Sequence, residues 1–159
     1  MLAEDIFARR FETSIAGLSR VFRGVEDCAA VEVEATARYW RGKMRPHGAN
    51  ACPLELVIYT TQVFAFDIGG LSAEGWPVAE FELFDDMARA AIDGRAILRE
   101  ERSPSTRSLW GRRLIVPRSD GRDWWVHYTY VPWTDDIEED AIRRDRHFVP
   151  YRRQSSRTG

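Results

Sequence analysis

The fold turns on the stretch Trp124-Trp125-Val126-His127-Tyr128-Thr129-Tyr130-Val131. β-branched and aromatic side chains fill it, as in a strand. Successive residues of a strand point to opposite sides, so Trp124, Val126, Tyr128 and Tyr130 share one face. Trp125, His127, Thr129 and Val131 share the other. Neither face is plainly polar. A sheet wet on one side alternates apolar with charged residues, so both faces of this strand are expected to be covered. The amphipathic segment at the start of the chain is the obvious cover for the second face.

Upstream, Ser119-Asp120-Gly121 has hairpin-turn composition, and Leu109 to Val116, ended by Pro117, reads as the partner strand. Arg95 to Arg102 reads as a further strand, closed by the turn Ser103-Pro104-Ser105. Before it, residues 77 to 93 predict a helix with Phe81, Phe84, Ala88 and Ala91 on one stripe. Pro77 suits a first helical position, acidic residues crowd the first half, and Gly94 suits a left-handed cap.

Leu56 to Tyr59 and Val63 to Ile68, separated by Thr60-Thr61 and closed by Gly69-Gly70, carry the strongest early strand signal. Residues 28 to 45 fit two periods. Val31, Val33 and Ala35 alternate with Glu32, Glu34 and Thr36 as in a strand, whereas Val33, Ala37, Trp40 and Met44 fit a helix face. The longer pattern favours the helix. Residues 2 to 23 predict an amphipathic helix with Phe7, Phe11, Ile15, Leu18 and Phe22 on one stripe. That stripe either packs on its own domain or also meets a second copy, and a homodimer through this helix is expected. After Pro132 the composition turns charged. Asp135 and Glu138 have capping-box spacing, and Glu139–Arg143 and Asp140–Arg144 are i,i+4 pairs. A short solvated helix and, from about Gln154, a loose tail are expected.

With 159 residues, 44% of them hydrophobic, and a net charge of −2, the chain has ample core for one domain. The balance argues against a dedicated nucleic-acid binder. No run is long enough for a membrane span, and the charged N-terminus does not resemble an export signal. A cytoplasmic protein is expected. Cys28 and Cys52 form neither a CxxC pair nor a cysteine–histidine set, so no metal is expected; a single disulfide between them stays open.

The sequence contains no GxGxxG, phosphate-binding loop, GxSxG elbow or HExxH. No catalytic residues and no cofactor are therefore assigned. His47, His127 and His147 fall in a loop, a strand and the tail. His127 stands out for its aromatic neighbours Trp110, Trp125 and Tyr128. Arg112 and Arg113 fall on opposite faces of one strand, so one of them points toward the cavity or partner that covers that face; if buried, it needs a carboxylate of the protein or of an anionic ligand. Trp110, Arg113, Trp125 and His127 are the candidate ligand-binding residues. Asp85-Asp86 and Glu138-Glu139-Asp140 read as solvated helix faces, and the tryptophans chiefly as core.

Arg38-Tyr39-Trp40-Arg41-Gly42-Lys43, Pro53-Leu54-Glu55-Leu56 and Val63-Phe64-Ala65-Phe66-Asp67 follow one another in an order that resembles bacterial PAS-type sensor domains. Ile92-Asp93-Gly94-Arg95 and Leu114-Ile115-Val116-Pro117-Arg118-Ser119-Asp120-Gly121 are similar to the same family's later part. The resemblance spans residues 37 to 132 and lapses between Ile68 and Trp76, where the family places a strand and pocket-framing helices. It implies an α+β, PAS-like fold, with an antiparallel sheet, helices packed on it and the N-terminal helix covering the sheet. The expected organisation is an N-terminal helix over 1–26, the α+β domain over 27–133 and a charged helix and tail over 134–159. The implied function is a non-catalytic sensory or regulatory domain that binds a small ligand or a protein partner. Two alternatives stand beside it: a small α+β cone-type enzyme with His127 or Asp67 as base, and a toxin-neutralising binding protein acting through surface acidity.

Overall fold

The computed structural model describes residues 1–153 and is an α+β fold with two antiparallel sheets. The first helix, α1 (Glu4–Arg23), buries Phe7, Phe11, Leu18 and Phe22 along its stripe. Glu4 and Asp5 occupy its first turn and Arg20 and Arg23 its last, each sign at the favourable end of the helix dipole. Five strands then follow as a meander in sequence order: β1 (Ala29–Ala35), β2 (Tyr39–Pro46), β3 (Leu54–Tyr59), β4 (Val63–Ile68) and β5 (Leu71–Pro77). Trp40, Met44, Leu54, Leu56, Ile58, Phe64, Phe66, Ile68, Leu71 and Ala73 line its buried face.

The helix expected over residues 28–45 is corrected to the β1–β2 hairpin. Trp40 and Met44 are four apart, a spacing that places two residues on one face of a strand as readily as of a helix. The hairpin turn decides. Thr36 Oγ1 accepts from the backbone N–H groups of Arg38 and Tyr39, both at 3.1 Å, and reverses the chain. The segment after Ile68, where the family pattern lapses, forms strand β5. Gly69 and Gly70 turn into it with φ of 61° and 96°. Asp67 tightens that turn, accepting from Gly70 N–H at 3.0 Å and from the Ser72 hydroxyl at 2.6 Å.

Helix α2 (Glu82–Ile92) begins five residues after Pro77, which instead ends β5. It buries Leu83, Phe84, Met87, Ala88, Ala90 and Ala91, and Gly94 beyond it has φ of 70°. Asp86, expected in solvent, is buried and accepts from Arg118 Nε at 3.0 Å. Burial without a partner would be costly for either group.

The second sheet runs β8-β7-β6-β9 in space and comprises β6 (Ile97–Arg102), β7 (Leu109–Pro117), β8 (Asp123–Thr129) and β9 (Ile142–His147). Leu98, Leu114, Val116 and Val126 face the core shared with α1, α2 and the first sheet. Trp124 joins the two sheets, its ring 5.6 Å from that of Phe66 and 6.1 Å from that of Trp76. The charged segment after Pro132 is a six-residue helix, α3 (Asp135–Asp140), followed by β9 rather than by more helix. The loose tail expected from Gln154 lies outside the described residues.

Helix α1 covers the five-stranded sheet and packs on α2, β1 and β2. It does not cover the second face of β8. Its phenylalanine stripe is consumed in the chain's own core, which removes the sequence argument for dimerisation through that stripe. Among the described residues no helix is long and apolar enough to cross a membrane.

Candidate functional site

The face of the second sheet turned away from the core is built on ion pairs. The strand registers place Glu101 opposite Gly111 and Arg143, and Arg113 opposite Arg99 and His127. The alternation of the strands therefore sends Glu101, Arg113, His127 and Arg143 to one side. Glu101 is the centre of this group, its side chain fully buried. Arg113 Nε donates to Glu101 Oε1 at 3.2 Å, and Arg143 Nε lies 3.4 Å from Oε2.

His127 Nε2 lies 2.6 Å from Glu101 Oε1, but the two do not have hydrogen-bond alignment. His127 Nε2 and Glu101 Oε2 are the buried side-chain polar atoms without a hydrogen-bond partner among the described residues. Such atoms are uncommon in folded proteins.

Helix α3 closes the cluster from above. Thr134 caps it, its Oγ1 accepting from Ile137 N–H at 3.2 Å. The cap fixes Glu138, which accepts from Arg113 Nη2 at 2.6 Å, Arg143 Nη2 at 3.0 Å and Trp133 Nε1 at 2.8 Å. The Trp133 ring stands edge-on to His127, with centroids 4.5 Å apart. Gly111 makes the approach feasible. A Cβ there would lie 3.0 Å from His127 Nε2 and 3.1 Å from Trp133 Cζ3.

Burial alone would raise the Glu138 carboxyl, but the Trp133 N–H and the Arg113 and Arg143 guanidiniums outweigh it and hold it below its ordinary value. On the same face Arg99 grips Asp145 through two bonds of 2.7 and 3.0 Å. That pair lowers the Asp145 carboxyl in spite of its desolvation. A folded value below the unfolded one gives stability that is present above the unfolded pKa and lost as pH falls through the folded pKa. Glu138→Gln is therefore expected to be less stable than the native chain at neutral pH. The two unfolding midpoints should converge as pH falls below the ordinary value of 4.5, as measured by denaturant titration across pH 3 to 7.

Three of the four sequence candidates meet here. His127 and Arg113 share Glu101 Oε1, and the Arg113 guanidinium lies 5.6 Å from the Trp125 ring. Trp125 is 55% exposed, so the expected cover on this side of β8 is only partial. Trp110 is not brought in. It occupies the β-bulge where Glu101 pairs with Gly111 and Arg102 with Leu109. Arg113 finds the carboxylate that the sequence demanded, within the protein.

Glu101 has no sequence signal, and the sequence places Trp133, Glu138 and Arg143 in core or helix roles rather than at this site. Glu138 is committed to the cluster, which corrects the reading of its acidic run as a solvated face. Asp67, the other candidate base, serves the β4–β5 turn. Cys28 and Cys52 are both free thiols, and burial pushes the Cys52 thiol up to about 12. Among the described residues no group of three histidine, cysteine or acidic side chains is placed to hold a metal ion.

Of the four sequence candidates, Arg113 lines the cleft of about 350 Å³ near Leu71; Trp110, Trp125 and His127 line neither that cleft nor the groove of about 570 Å³ between α1 and α2. The cluster thus presents an exposed tryptophan beside a buried ionic base. The chain matches no protein-family model, no curated protein and no solved structure.

Proposed function

We propose that the chain is a non-catalytic regulatory domain that docks a protein partner through the outer face of its four-stranded sheet. The observation that carries this reading is Trp125, 55% exposed and held against Arg113, whose own charge is fixed by Glu101 and Glu138. Tryptophan and arginine are the residues most often found at binding hot spots. A side chain already ordered by its neighbours loses little entropy on binding. His127 sits under Trp133 and touches no cavity assigned above, which favours docking over a reaction at that imidazole.

The PAS-type resemblance over residues 37–132 supports the regulatory half of the reading. The family places a strand and pocket-framing helices after Ile68; here strand β5 occupies that segment. Two free thiols agree with a reducing, cytoplasmic setting.

The test compares partner capture by tagged native chain, Trp125→Ala and Ile6→Ala, the last altering an exposed apolar residue on α1. A partner that docks here is expected to lose about tenfold or more in affinity with Trp125→Ala and to be unaffected by Ile6→Ala. Both variants should keep the native melting temperature, because both side chains are exposed. Equal binding by Trp125→Ala and the native chain would sink the reading. Turnover of a co-purified small molecule, lost in His127→Ala, would replace it with the enzyme alternative.

A further inference from the structure

We propose that the opposite face of the same sheet carries a binding cleft for a small molecule with two or more oxyanionic groups. The cleft has a volume of about 350 Å³, within the range of small-ligand sites. Leu71 of β5 and Leu98 of β6 contribute apolar surface, and Arg112, Arg144 and Arg146 are among the charged residues that line it, with Arg99, Arg113 and the carboxylate residues Glu100 and Asp145 also at its border.

The strand registers explain why three arginines collect there. Arg112 of β7 and Arg144 of β9 both stand opposite Glu100 of β6, and Arg146 stands opposite Leu98. Residues paired across adjacent strands share a face, so the three guanidiniums converge from the two sides of β6.

The carboxylates at the cleft are already engaged. Glu100 accepts from Arg102 at 3.1 and 3.3 Å. Asp145 is gripped by Arg99 on the outer face. On the outer face Arg99, Arg113 and Arg143 each have a carboxylate within 4.0 Å. Arg112, Arg144 and Arg146 have none among the described residues, since every ion pair of this sheet uses other arginines. Three like charges around one cleft repel one another, and apolar walls strengthen that repulsion.

One arginine is also pre-oriented. The Arg146 guanidinium lies 4.8 Å from the Phe148 ring, a cation–π contact that restrains it at the cleft. Planar guanidinium forks recognise carboxylate and phosphate oxygens in pairs. Two or more anionic groups on one small molecule would neutralise all three.

The experiment is isothermal titration of the full chain with inorganic pyrophosphate and, separately, with citrate. Saturable one-to-one binding of at least one probe is expected, weakening as salt is raised. The probe that binds tells phosphate from carboxylate chemistry. Arg112→Gln/Arg144→Gln should weaken binding by about tenfold or more, as loss of charged hydrogen bonds does. Arg10→Gln/Arg20→Gln, which removes two exposed α1 charges, should leave it unchanged. If the first variant melts early, Arg144→Gln/Arg146→Gln, on the exposed strand β9, replaces it with the same expected loss. Absence of saturable binding by either probe, or equal loss in the α1 variant, would overturn the proposal. Neither result bears on docking through Trp125, which is read from partner capture.

Discussion

Glu101→Ala is expected to lower the unfolding free energy by about 3–5 kcal/mol, the usual cost of breaking a buried ion pair by removing one partner. The reason lies in what the substitution strands. Arg113 is only 17% exposed and Arg143 29%, and both turn toward the Glu101 carboxylate. Without it they share Glu138 alone, which is 45% exposed and already bonded to Trp133. Glu101→Gln keeps the shape of the side chain and loses the charge, so an intermediate loss is expected. Urea unfolding at neutral pH measures both. A loss below about 1 kcal/mol for the alanine variant would mean that the cluster behaves as solvated surface pairs do.

Trp40→Ala should cost about as much, roughly 3–5 kcal/mol, but for a different cause. Trp40 is 1% exposed and meets Phe22 of α1 edge-on, with centroids 5.3 Å apart and planes at 88°. Its indole N–H donates to Ser19 Oγ at 3.0 Å. Gly42 completes the arrangement, because a Cβ there would come within 2.6 Å of Phe22 Cε2. One residue therefore ties the helix to the sheet through ring packing and a hydrogen bond. Trp40→Phe keeps most of the packing and forfeits the bond, so a smaller loss is expected. Hydrogen exchange should show α1 amides losing protection first in the alanine variant, since Phe22 loses its partner there.

These residues also show what sequence can and cannot reveal. The Phe7–Phe11–Leu18–Phe22 stripe of α1 and the alternation through β3, β4 and β8 are apolar patterns, and they are legible because burial imposes them. Trp40 and Met44 satisfy two periods at once, so only the Thr36 turn separates hairpin from helix. Strand β9 is hidden for a stronger reason. Arg143-Arg144-Asp145-Arg146 has no apolar rhythm, and the pairings that order it run across to β6, Arg99 to Asp145 and Glu101 to Arg143. Read along the chain, the same charges mimic i,i+4 helix pairs.

The candidate site shares that fate. Arg113, Trp125 and His127 are legible because they sit on strong strands, and so is the need for a carboxylate of whichever of Arg112 and Arg113 is buried. Glu101 is not, because its burial depends on Arg143 from a strand with no sequence signature. Glu138 was hidden in an acidic run whose other members face solvent. Arg112 lies far in sequence from Arg144 and Arg146, and only the register gathers it with them.

Backbone amide and indole NMR on the labelled chain, titrated with the captured partner, tests the docking surface directly. The expected result is a set of shifted resonances centred on Arg113, Trp125, His127 and Trp133, with the buried Trp40 indole unmoved. Perturbations confined to the α1–α2 groove or the five-stranded sheet, with the Trp125 indole unchanged, would contradict it.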